Sequence, residues 1–136
     1  MIHLDTNAMI ALLNGRTTIL RSRYEQAWTA GQDRAISAIV HHELMFGAAK
    51  SVRREANAQK LETFIAGARL VILPFDEGDD TEAGDIRAHL KHLGAPIGPY
   101  DVLIAGAARS RGATLVTANT REFQRVPGLL VVDWAA

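Results

Sequence analysis

Short apolar runs alternate along this chain with longer stretches of helical periodicity. Ile2 to Leu4, Arg34 to Ser37, Leu70 to Phe75 ("LVILPF", interrupted by Pro74), Thr114 to Thr117 and Gly128 to Val132 read as strands. Asn7 to Leu13, Thr17 to Ala30, Ala38 to Lys50, Arg54 to Ile65, Thr81 to Leu93 and Tyr100 to Arg111 read as helices. Gly15 and Gly31 stand where a left-handed residue closes a helix, and "GAPIGP" is a loop. Strands separated by helices predict an α/β fold, a short, mostly parallel central sheet flanked by helices on both faces. The strands are apolar without alternation, as expected of strands buried on both sides.

At 136 residues, with no linker or repeat, the expected organisation is a single domain over 1–136. The composition, 48% hydrophobic and 22% charged, is that of a globular protein. Fifteen basic residues balance fifteen acidic ones, so net charge favours no class of partner, and the placement of charge must be read instead. Cysteine is absent, which excludes disulfides and thiolate metal sites. No signal peptide or membrane span is apparent, and the expectation is a cytoplasmic protein.

Four polar residues occupy positions that packing alone does not require. Asp5 ends an apolar strand, and in parallel α/β sheets ligand sites gather at that edge. It is equally placed to cap the helix that follows. Glu43 has Ile39, Val40, Phe46 and Gly47 as its helical neighbours, so no cation pairs with it along the helix and its charge requires compensation from elsewhere. Its neighbours His41 and His42 point to different helix faces and read as ordinary packing or surface residues. Asp101 opens the helix of "GPYDVLIAGAA", where an acid suits the helix dipole, but the helix itself is apolar nearly all round. Its amino end therefore faces the interior or a cleft. Asn119 follows "TLVT"; it can cap a short helix with Glu122, or stand beside Asp5 at the carboxyl edge of the sheet.

Acids gathered at one edge repel one another unless a cation joins them, and Mg²⁺ or Mn²⁺ is the natural partner of oxygen ligands. Such a site suits phosphodiester hydrolysis. A non-catalytic α/β binding module whose acids merely cap helices is the alternative. A metal-dependent phosphatase, or a nuclease acting on other substrates, is a second.

The blocks "IHLDTNAMIALLNG", "SAIVHHELMFGAAKS", "IGPYDVLIAGAARSRGATLVTANTREFQRVPGL" and "VVDW" together resemble the PIN-domain nucleases, and within them the VapC toxins of type II toxin–antitoxin pairs. The resemblance covers essentially the whole chain. It implies a PIN fold and a Mg²⁺- or Mn²⁺-dependent endoribonuclease with Asp5, Glu43 and Asp101 as catalytic acids. Asp5 and Asp101 would be the principal metal ligands, with Glu43 acting through water. Thr6 occupies the family's common hydroxyl position. Asn119 stands where many PIN domains carry a fourth acid, a departure that bears on a second metal. The resemblance further implies a VapB-type antitoxin lying across the site, a homodimer and a toxin–antitoxin hetero-oligomer. It also implies an RNA substrate, with initiator tRNA cut in its anticodon stem-loop as the nearest match. Arg16, Arg21, Arg23, Lys50, Arg53, Arg54, Arg109, Arg111, Arg121 and Arg125 are the cations available for RNA or for a solvated surface. Ile10, Leu12, Leu13, Phe46 and Leu61 are expected in the core, with a subset at a protein interface.

Overall fold

The computed structural model describes residues 1–135. The elements run β1 (Ile2–Leu4), α1 (Thr6–Asn14), α2 (Thr18–Thr29), β2 (Arg34–Ser37), α3 (Ala38–Lys50), α4 (Arg54–Gly67), β3 (Val71–Leu73), α5 (Glu77–His92), α6 (Pro99–Ser110), β4 (Thr114–Val116), α7 (Thr120–Phe123) and β5 (Leu130–Val132). All pairings are parallel, in the order β3-β2-β1-β4-β5. The chain moves outward from β1 to β3, returns beside β1 as β4, and leaves on the other side as β5. This reversal lets right-handed crossovers cover both faces of the sheet. It also creates a switch point between β1 and β4, where the carboxyl ends of neighbouring strands turn apart and leave a crevice.

The central strands are buried, as their unbroken apolar runs predict: Leu4, Ile36, Leu115 and Val116 are almost fully enclosed. The outer strands differ. Only three residues of "LVILPF" pair as a strand, because Pro74 lacks the donor to continue. Val71 on β3 and Leu130 on β5 are exposed at the two edges, so burial on both faces holds for β1, β2 and β4 alone.

Helix α5 starts four residues before the predicted Thr81. Asp76 accepts the Asp79 N–H while the Asp79 carboxylate accepts the Asp76 N–H, a reciprocal cap that extends the helix through a polar, glycine-containing stretch. Asp79 is nonetheless buried, and holds Ser110 and Arg111 from the end of α6. Arg109 likewise binds Glu82 and Asp85 of α5 and the Pro127 carbonyl. These two arginines, counted above among the cations available to RNA, are committed to holding α6 against α5.

Candidate active site

Helix α1 begins immediately after β1, and Asp5 is the residue between them. Its two oxygens are used differently. Oδ1 accepts the Ala8 N–H at 2.8 Å and caps α1, while Oδ2 accepts the Thr117 hydroxyl at 2.5 Å. The cap and the site at the sheet edge are therefore one residue rather than alternatives. Asp5 is buried. Burial pushes its carboxyl above the usual range, Glu43 and Asp133 push it further, and the bonds from Thr117 and Ala8 pull it back.

Glu43 lies on the second turn of α3 and is half-buried. Its helix neighbours are less interior than the apolar sequence implies: Val40 is enclosed, but Phe46 is 58% exposed. The carboxylate faces a groove among α1, α3 and α4, lined by Ile10, Leu13 and Leu61. The compensation demanded by its helical neighbours comes from a hydroxyl: Thr6, the first residue of α1, donates to Glu43 Oε1 at 2.6 Å. None of the ion pairs formed by Arg21, Arg109 or Arg111 involves Asp5, Glu43 or Asp101.

Asp101 sits in the first turn of α6, behind Gly98 as N-cap and Pro99 at the first helical position. The helix behind it is buried from Ile104 through Ala108, as its composition predicts. The Asp101 side chain folds back over Gly98, where an added Cβ would stand 3.2 Å from Oδ2; glycine leaves room for this orientation. Burial, then Glu43, Glu122 and Asp5, hold the Asp101 carboxyl up at about 6. The three sequence-predicted acids thus share one electrostatic environment, although they come from the β1–α1 junction, α3 and α6.

Asn119 occupies the N-cap position of α7 without making a side-chain cap bond. Its amide donates to Glu122 Oε2 at 2.8 Å, and its backbone N–H bonds Thr117 Oγ1. Three residues of this neighbourhood are not marked by the sequence as site residues. Thr117 carries only the signal of a polar residue ending an apolar strand. Glu122 reads as part of a cap, yet it acts on Asp101. Asp133 bears on Asp5 from beyond β5, where sequence separation conceals it.

The donor set is all oxygen, and its carboxyls are raised partly by one another, a combination that a hard divalent cation relieves. Among the described residues, no three His, Asp or Glu side chains stand ready to enclose one ion. Two carboxylates with water completing the shell would suit a hard divalent cation here.

The sheet is five-stranded and parallel, with Asp5 at its β1–β4 switch point, and the family model "PIN domain" matches residues 2–129. The "tRNA(fMet)-specific endonuclease VapC" of Shigella flexneri is 41% identical over 133 residues, covering 97% of this chain and 96% of that protein. Among solved structures, DNA-bound VapBC from Salmonella typhimurium matches with a TM-score of 0.89 at 41% identity, covering 98% of this chain and 97% of that one. VapBC2 from Rickettsia felis, bound to a DNA fragment from the promoter, matches with a TM-score of 0.90 at 36% identity, covering 98% and 99%. The chain belongs to the PIN domain family, among its VapC toxin ribonucleases.

Proposed function

We propose that this chain hydrolyses RNA with a divalent cation, Mg²⁺ or Mn²⁺, held by Asp5 and Asp101, and that its target is initiator tRNA, cut in the anticodon stem-loop. The observation that carries the site is Asp5 at the sheet's carboxyl edge, held by Thr117 and Ala8, with Thr6 beside it donating to Glu43; burial, then Glu43, Glu122 and Asp5, in turn raise the Asp101 carboxyl. Acids are set against one another here, and none of the ion pairs formed by Arg21, Arg109 or Arg111 reaches them. The relative named as tRNA(fMet)-specific supports the substrate.

A bound divalent cation supplies Lewis acidity to the phosphoryl oxygen and lowers the pKa of water. The chain's own residues do the rest. Thr117 and Ala8 hold Asp5 in place, so its carboxylate is oriented before substrate arrives. Thr6 occupies Glu43 Oε1 and leaves Oε2 to take a proton from the attacking water. Asp101 is placed by the close approach to Gly98. Glu122 joins this set as the acid nearest in role to the one replaced by Asn119.

The partner is a VapB-type antitoxin, supported by the VapBC composition of the matching structures. Its seat is the groove of about 340 Å³ among α1, α3 and α4, which reaches Glu43 itself. Ile10 and Leu13, expected in the core, are half-buried there, while Leu12 is enclosed in the core and Leu61 is buried at the groove floor. A homodimer within a toxin–antitoxin hetero-oligomer completes the assembly. No described helix is long and apolar enough to cross a membrane.

Mapping new RNA ends in total cellular RNA treated with the wild type and with Asp5→Asn, with Mg²⁺ and with chelator, tests this reading. New ends in the anticodon stem-loop that need both the metal and Asp5 are expected. Identical ends from both proteins, or ends that persist in chelator, would overturn it.

A further inference from the structure

Eight residues of this chain are Phe, Trp or Tyr. Phe123, Tyr24 and Trp134 are spent in the core, whereas Tyr100 and Phe46 are 46% and 58% exposed. These two are not scattered. Tyr100 immediately precedes Asp101, and His42 immediately precedes Glu43. The His42 and Tyr100 rings meet at 5.7 Å between centroids, tilted by 46°. Phe46 lies one helical turn beyond His42 on α3, and Lys50 one turn beyond that, with its ammonium 5.1 Å from the Phe46 ring centre. Tyr100, His42, Phe46 and Lys50 therefore make a continuous strip, aromatic for most of its length and cationic at its end, on the two helices that carry Asp101 and Glu43.

We propose that this strip is a stacking track for unpaired RNA bases, leading a single-stranded loop toward Asp101 and Glu43; it rests on the ribonuclease reading given above. Every base offers a flat π-face, and stacking on aromatic side chains is the main way proteins hold unpaired nucleotides. Lys50 and the following Arg53 and Arg54 form no ion pair with an acid among the described residues, which leaves them for phosphates. The groove that reaches Glu43 from the other side is lined instead by aliphatic residues such as Ile10, Leu13 and Leu61, a surface suited to an amphipathic protein helix. The aliphatic groove and the aromatic strip thus both involve helix α3 near Glu43, and the aromatic one is assigned to RNA.

Steady-state cleavage of an initiator-tRNA anticodon stem-loop with Mn²⁺, in wild type and in Tyr100→Ala, Tyr100→Phe and Phe46→Ala, tests the assignment. Tyr100→Ala and Phe46→Ala should each raise KM about tenfold with kcat little changed, the effect of losing one base stack. Tyr100→Phe, which keeps the ring, should stay within about twofold of wild type. With 2-aminopurine in the loop and Asp101→Asn to prevent cleavage, binding should quench its fluorescence, and adding Tyr100→Ala should restore it. Cleavage by wild type with an unchanged KM in Tyr100→Ala overturns the track alone, as does a Tyr100→Phe variant as impaired as Tyr100→Ala. An unchanged KM accompanied by altered sedimentation assigns the strip to self-association instead. A wild type that neither cleaves nor binds the hairpin overturns the ribonuclease reading and the track with it.

Discussion

Thr117 reaches across 112 positions of sequence to donate a hydrogen bond from its hydroxyl to Asp5, linking the ends of β4 and β1 at 2.5 Å. This bond is among the influences that hold the Asp5 carboxyl down against burial. Thr117→Val keeps the shape and removes the donor. The Asp5 carboxyl should then rise further, and the acidic limb of the pH–rate profile should move to higher pH. A raised acid contributes stability that is present below its unfolded value and lost as pH rises through the folded value. The variant should therefore lose stability chiefly on the neutral side, by about 1–3 kcal/mol for an unsatisfied buried acceptor. Urea melts at pH 4 and pH 7.5 check this: a deficit independent of pH would separate Thr117 from the charge on Asp5.

Asp101 gives the clearest pH signature. Its carboxyl titrates at about 6 in the folded protein against 3.8 as a free side chain, so the metal-free fold holds extra protons between those values. Stability of the metal-free protein should fall as pH rises from about 4 to 6 and stay lowered above. Asp101→Asn removes the conflict and should stabilise the metal-free protein at pH 7.5 by about 1 kcal/mol, after discounting for solvent screening at a half-buried group. RNA cleavage should be lost in the same variant. Thermal melts in chelator at pH 4.5 and 7.5 measure the effect, and an Asn variant less stable at both would show that the carboxylate contributes more to packing than it costs in repulsion.

At Gly106, α6 lies close against α5. A Cβ there would lie 2.7 Å from the Ala83 Cβ and 2.8 Å from both its Cα and its backbone nitrogen. Gly106→Ala must push the helices apart, and a destabilisation of about 1–3 kcal/mol is expected. Ala83→Gly should fail to rescue it, since two of the three close atoms are backbone. Denaturant midpoints for the single and double variants decide; full rescue would show the helices free to shift.

Much of this was legible in the residues themselves. Asp5, Glu43 and Asp101 each interrupt an apolar context, so the sequence marks them individually. The parallel sheet follows from its short runs, and the blocks shared with PIN-domain nucleases add the family. What binds the acids together was hidden. Thr117 and Glu122 look like an ordinary strand end and an ordinary cap, and their roles depend on β4 returning beside β1. The acidic start of α5 was concealed because the helical periodicity begins only near Thr81, whereas the reciprocal Asp76–Asp79 cap extends the helix back to Glu77. Gly106 gave no sign of its importance, because close helix approach is a property of two segments together.

Asn119 offers the last test, since its surroundings distinguish a cap from a place in the acid cluster. As a cap it would be replaceable by Asp at little cost. Its side chain makes no cap bond, however, and instead donates to Glu122 at 2.8 Å. In Asn119→Asp that donor becomes a second carboxylate facing Glu122, which already acts on Asp101. Like charges so placed raise one another's pKa and oppose folding at neutral pH. The metal-free variant should therefore melt below wild type at pH 7.5 and recover toward it at pH 4.5, where the new carboxyl accepts a proton. Mn²⁺ should restore the loss, because an added carboxylate strengthens a hard-cation site. Calorimetric titration should show tighter Mn²⁺ binding in the variant, while cleavage need not quicken, as a cation drawn toward the new carboxylate can misplace the attacking water. Equal melts in chelator and equal Mn²⁺ affinity would place this position outside the cluster, and would leave Glu122 to act on Asp101 without it.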